Sequence, residues 1–102
     1  MIEVRFSREA RDEFPGQIRW YEALEPGLGS RFALEIERAV QMVGAFPRHG
    51  RPGPSGTRIR RVARFPFSVV YGESGGGIVI HAIAGSRRHP GYWVERIGRN
   101  RR

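Results

Sequence analysis

Two runs of arginine are the parts of this chain best able to do chemistry. "RIRRVAR" supplies Arg58, Arg60, Arg61 and Arg64. "SRRHPGYW" supplies Arg87 and Arg88 beside His89, Tyr92 and Trp93. A guanidinium is a planar fork of donors that stays charged and grips phosphate or carboxylate through paired bonds. Four of them packed into one short segment repel, so a counter-anion is expected there. Binding is the simplest chemistry for such a set. Cleavage of RNA through its 2′-hydroxyl would need more: a base, a cation for the phosphorane, and an acid for the leaving oxygen. Arginine fills the second role and not the other two, because it keeps its proton near neutral pH. The chain has no lysine and no cysteine, so the acid and base would come from His49, His81, His89, Tyr92 or the carboxylates. A ribonuclease reading therefore rests on Arg64, Arg87, His89 and Tyr92.

Each of these residues also has a plainer reading. His49 lies in a loop rich in proline and glycine. His81 sits within an apolar strand, opposite in facing to Ile80 and Ala82. His89 precedes Pro90 and can cap a short helix. Tyr92 and Trp93 are large aromatics suited to packing that helix onto a sheet. Arg58, Arg60, Arg61 and Arg64 can form a solvated strand face. Arg87 and Arg88 alternate sides, so only one of them can face a cleft. The run Gly75–Gly77 lacks the spacing of a phosphate loop and reads as a turn. No metal site and no cofactor is expected.

The 102 residues suffice for one domain, 1–102, that buries roughly 60–70% of its unfolded surface. The absence of cysteine excludes disulfides and thiolate sites and fits a reducing cytoplasm. No apolar run approaches the roughly 20 residues of a membrane helix, and "MIEVRFSREA" does not read as a signal peptide. The net charge is +8, and all 18 basic residues are arginine. Residues 1–37 carry five arginines and eight acids, net −3; residues 38–102 carry thirteen arginines with only Glu73 and Glu95, net +11. The larger part of the chain thus seeks RNA, DNA or an acidic protein.

The elements that must position these residues follow from periodicity. "IEVRF" alternates as a strand. Ser7 reads as an N-cap, and Ala10, Phe14, Ile18 and Tyr21 form a helical stripe in which Pro15-Gly16 predicts a kink or restart. After "EPGLGS", Leu28, Phe32, Ile36, Ala39, Val40 and Val43 form a second stripe, ended by Phe46-Pro47. The short connection makes the two helices an antiparallel hairpin. Residues 47–57 read as loop. "RIRRVA" from 58, "FSVVYG" (67–72) and "IVIHAIA" (78–84) read as three antiparallel strands. Pro90 opens a short helix and Gly98 lies past its end. The fold class is α+β, in the order β-α-α-β-β-β. A helical hairpin covers one face of a mainly antiparallel sheet, the opposite face is at least partly open, and a short C-terminal helix follows.

This order, together with Arg64-Phe65-Pro66-Phe67, Val69-Val70-Tyr71, Arg87-Arg88, Pro90-Gly91-Tyr92-Trp93 and Arg96, resembles the RelE/ParE superfamily of type II toxins, and its ParE branch more closely. The resemblance spans almost the whole chain. It implies a two-layer RelE/ParE-like sandwich, and a cytoplasmic toxin that inhibits DNA gyrase by binding and is neutralised by a cognate acidic antitoxin. The RelE branch implies the alternative, an endoribonuclease that cuts mRNA on the ribosome. The chain departs from many relatives at Gly85, where they carry histidine two residues before the paired arginines, so no histidine-based role is carried over. A third reading is a basic RNA-binding or adaptor domain without toxicity. On all three, Arg58, Arg60, Arg61, Arg64, Arg87, Arg88, Tyr92 and Trp93 are the candidate contacts. They are expected to form a basic rim at one end of the sheet.

Overall fold

The computed structural model describes residues 2–100. Its elements run β1 (Val4–Phe6), α1 (Arg8–Leu24), α2 (Leu28–Ala45), β2 (Arg51–Pro52), β3 (Arg58–Arg61), β4 (Phe67–Ser74), β5 (Gly77–Gly85) and α3 (Val94–Asn100). The five strands form one sheet in the order β1-β5-β4-β3-β2. β1 lies parallel to β5, and every other pairing is antiparallel. The α+β order expected from the sequence is therefore present. β2 is an addition, since two residues of the expected loop pair with Ile59 and Arg58.

Ser7 caps α1 as its sequence position suggests, its Oγ accepting from the Ala10 amide. Pro15 does not restart the helix. α1 is continuous through it, because Pro15 and Arg11, whose carbonyl the proline cannot serve, both lie on the exposed flank where water can do so. The helices meet closely at Gly29. A Cβ there would stand 2.7 Å from the Ile18 carbonyl oxygen, so only glycine allows this approach. The N-cap of α2 is Gly27, which has no capping side chain. Glu22 of α1 supplies the missing acceptor, taking hydrogen bonds from the amides of Gly27 and Gly29 at 2.9 and 3.0 Å. One carboxylate thus caps one helix from the other and fixes the hairpin.

The hairpin buries its stripes on one face of the sheet. Phe32 is fully buried at the centre of this layer, with the rings of Tyr21, Phe67 and Phe65 at 4.8, 4.9 and 5.3 Å between centroids. Apart from His81, β5 is apolar because it is covered on both faces. His81 is an extra residue in its ladder: Val70 pairs with Ala82 and Tyr71 with Ile80. The bulge shifts the alternation, so that Ile78, Ile80 and Ile83 all reach the helical core.

The opposite face is less open than its sequence implies. Trp93 and Ile97 are buried against Val70 and Ala82, with Ile59 and Ala84 alongside. The short helix that carries Ile97 begins at Val94 rather than Pro90, and Gly98 lies inside it rather than beyond it. Residues 90–93 form turns instead, since the Val94 amide bonds the Gly91 carbonyl and that of Arg96 the Trp93 carbonyl. α3 is tied to α1 by one ion pair. Arg96 donates to Glu13 through its two terminal nitrogens, Nη1 and Nη2, at 2.7 and 2.6 Å, and its Nη1 also reaches the His81 carbonyl at 3.4 Å. The Arg96 side chain is 11% exposed and that of Glu13 30%. The hydrogen bond to Glu13 raises the pKa of Arg96 above its already high ordinary value, so this cation persists at any workable pH.

Removing one partner leaves the other charge half-buried and unpaired. Glu13→Ala and Arg96→Ala should each cost roughly 3 kcal/mol. The double variant should cost about as much as either single one. Denaturant unfolding of all three measures this, and strictly additive losses would show that the pair is not coupled.

A candidate interaction site at the basic end of the sheet

The β3–β4 turn and the turn after β5 leave the sheet at the same end. Their backbones are joined, the Ser86 amide donating to the Pro66 carbonyl at 2.8 Å. This places Arg61 at the end of β3, Arg64 in the first turn, and Arg87 and Arg88 in the second, all exposed. Arg64 has a left-handed backbone, φ 69°. That conformation costs a non-glycine residue about 1 kcal/mol. It accompanies a chain reversal in which Phe65 packs into the helical core while the Arg64 guanidinium lies 3.8 Å from the buried carboxylate of Glu35.

The remaining sequence-derived candidates separate from this group. Arg58 stands at the other end of β3, opposite Tyr71, and donates to the carbonyls of Arg48 and Gly50 at 3.2 and 2.8 Å. It holds the loop after α2 in place together with the Tyr71 hydroxyl, which donates to the Pro47 carbonyl. Arg60 is half-buried beside Val69, one residue short of the rim. Trp93 is core. His49 stacks on Phe46 at the end of α2. His81 is buried in the bulge of β5. His89 is exposed, and its carbonyl accepts from the Tyr92 amide at 3.2 Å.

Arg87 and Arg88 meet different rings but both line one cavity, so the expectation that only one of them faces a cleft does not hold: they lie in a turn after β5, where strand alternation no longer applies. Arg88 lies over the Tyr92 ring at 3.9 Å, and Arg96 approaches the same ring at 5.1 Å. Each such contact contributes on the order of 0.5–1 kcal/mol at an exposed site. Arg87 is the cation that acts on Tyr21 of α1. Between them opens a cavity of about 450 Å³, walled by Gln17, Trp20, Tyr21 and Leu24 of α1 and floored by Pro66, Phe67 and Gly85. The sequence reading missed this wall. A signal for it exists: Trp20 and Leu24 are apolar and one turn apart, yet both fall off the stripe formed by Ala10, Phe14, Ile18 and Tyr21.

The electrostatics favour binding over proton transfer. Burial raises the pKa of Tyr21, with Arg87 opposing. Burial also raises that of Tyr92, aided by Glu13 and opposed by Arg96 and Arg88. Both phenols stay protonated at neutral pH and can donate but not act as bases. The cavity wall therefore offers cations, donors and aromatic surface. Among the described residues no group of three or more His, Asp or Glu side chains is placed to hold a metal ion. No helix among them is long and apolar enough to cross a membrane.

Comparison with known proteins relates the chain to a family and to solved structures. The family described as "ParE toxin of type II toxin-antitoxin system, parDE" matches residues 4–90. A solved structure described as "Chromosomal ParDE TA system from P. aeruginosa" is similar, with a TM-score of 0.74 and 25% identity over 83% of this chain and 96% of that one. No curated protein sequence matches.

The raised phenol makes a prediction. Because the folded-state pKa of Tyr92 lies above the unfolded one, its contribution is fully present below about pH 10 and is lost as pH rises through the raised value. Tyr92→Phe should therefore flatten the alkaline fall in stability. Unfolding free energies measured from neutral pH to alkali test it, and identical slopes for the two proteins would count against a buried phenol.

Proposed function

Because the chain belongs to the ParE toxin family of type II toxin–antitoxin systems, we propose that it arrests bacterial growth in the cytoplasm by binding DNA gyrase, and that a cognate acidic antitoxin neutralises it. The observation that carries this reading is the composition of the basic end of the sheet. Arg61, Arg64, Arg87 and Arg88 gather there with aromatic surface, while His49 and His81 lie elsewhere. With exposed His89 as the imidazole beside them, these cations and neutral phenols are better suited to hold a bound partner than to move protons. The similar solved structure is a ParDE system, which supports a protein partner for this chain as well. The charge distribution fits an acidic one, since complementary fields speed encounter and select partners.

Expression without antitoxin should stop growth, and purified protein should inhibit supercoiling while gyrase-dependent DNA breaks accumulate. Arg87→Ala with Arg88→Ala should relieve the arrest, and His89→Ala should leave it intact. Intact supercoiling together with cleaved ribosomal mRNA, abolished by His89→Ala, would instead establish the ribonuclease reading. Harmless expression at high level would leave a non-toxic adaptor.

A further inference from the structure

The basic end of the sheet carries charge that the fold leaves unbalanced. Among the described residues no carboxylate lies within ion-pair distance of Arg61, Arg87 or Arg88. The Arg64 side chain is 80% exposed, and the Glu35 carboxylate that it approaches already accepts from Arg38 at 3.2 Å. Near the end of α1, Glu22 takes the amides of Gly27 and Gly29, and Glu25 pairs with Arg31. The Ser86–Pro66 hydrogen bond joins the two turns, so guanidiniums from both are gathered at one end of the sheet.

Flat apolar surface accompanies these cations. Trp20 is 59% exposed and lines the cavity beside Arg87 and Arg88, with Pro66 and Gly85 in its floor. A Cβ at position 85 would meet carbons of the Phe67 ring at 3.3 and 3.4 Å, so glycine keeps this floor bare. The Tyr92 ring meets two guanidiniums, with Arg88 at 3.9 Å and Arg96 at 5.1 Å. Exposed rings and guanidinium planes are the surfaces on which unpaired bases stack.

We propose that the basic end of the sheet binds an unpaired DNA strand. One base stacks on Trp20 in the cavity, and the phosphates on either side of it pair with Arg61, Arg64, Arg87 and Arg88. Each guanidinium fork can hold two oxygens of one phosphate. The strand crosses the sheet end from one turn to the other, so it does not run along α1 and its acids. A duplex would also meet the arginines, but its bases are stacked on one another and leave Trp20 without one. The inference rests on the gyrase reading, since that target works on DNA. Its test contains no gyrase, so DNA binding can fail while the gyrase proposal stands, and the reverse.

The full chain is titrated into a labelled short oligothymidylate, a hairpin duplex of equal charge and an oligouridylate of equal length. Binding is read by anisotropy of the label and by Trp20 emission, because the other tryptophan, Trp93, is buried. The oligothymidylate should change Trp20 emission saturably and bind about fivefold or more tighter than the duplex. Its log K should fall against log salt with a slope of about −2.8, and Arg87→Gln with Arg88→Gln should halve that slope. Arg48→Gln with Arg51→Gln removes as much charge from exposed positions at the far end and should leave the slope unchanged. Trp20→Ala should weaken binding about fivefold or more at constant slope. The proposal is overturned if the two double variants lower the slope equally, or if saturating oligothymidylate leaves Trp20 unmoved. It is also overturned if the duplex or the oligouridylate binds more tightly, or if polyglutamate of equal charge displaces the strand as well as unlabelled oligothymidylate does.

Discussion

β5 is nine residues long and β1 covers only its first part, opposite Ile78, Val79 and Ile80. From His81 onward the outer edge of β5 has no strand beside it. Unpaired strand edges are costly when buried and invite other chains when exposed. Here side chains close the edge in place of a sixth strand. The His81 carbonyl accepts from Ser7 Oγ and Arg96, and the Ile83 carbonyl accepts from Gln17. Ser7 is the cap of α1, Gln17 lies in its middle, and Arg96 belongs to α3. The shortness of β1 thus dictates where both helices must sit.

The Glu13–Arg96 pair follows from the same constraint. Arg96 can serve the edge only if its charge is balanced, and Glu13 of α1 supplies the balance with two short bonds. Through that pair α3 is held against the sheet, Trp93 and Ile97 stay buried, and Tyr92 is carried to the rim beside Arg88. The edge ends at Gly85, where no side chain closes it. What remains open there is the cavity between α1 and the paired arginines. That cavity is the place where the edge-closing scheme stops.

The basic end is likewise a product of register. Arg61 and Arg64 are more than twenty residues from Arg87 in the chain, and the pairing of Phe67 with Gly85 brings their turns into contact. Arg58 belongs to the same sequence run, but a strand rises about 3.3 Å per residue, so its place at the start of β3 puts it at the far end, where backbone carbonyls engage it. Proximity in sequence therefore grouped Arg58 and Arg60 with the rim and left out its apolar wall.

Much was legible before any coordinates. The stripe from Leu28 to Val43, the Ser7 cap, the hairpin of helices and the alternation of "RIRR" are local patterns set by helical and strand periods, and the folded chain keeps them. The family likeness also rested on such short, ordered pieces. What the sequence could not hold were the effects of distant partners. Pro15 continues its helix because water reaches the flank where it lies. His81 bulges because Tyr71 pairs with Ile80 rather than with it. Gly98 is helical because packing of Trp93 and Ile97 against the sheet outweighs a residue's own preference. Composition and periodicity determined which elements form and which face of each is apolar. Only tertiary contact decided which charges meet, because that depends on strand register and on an edge left unfilled, and neither is a property of any local segment.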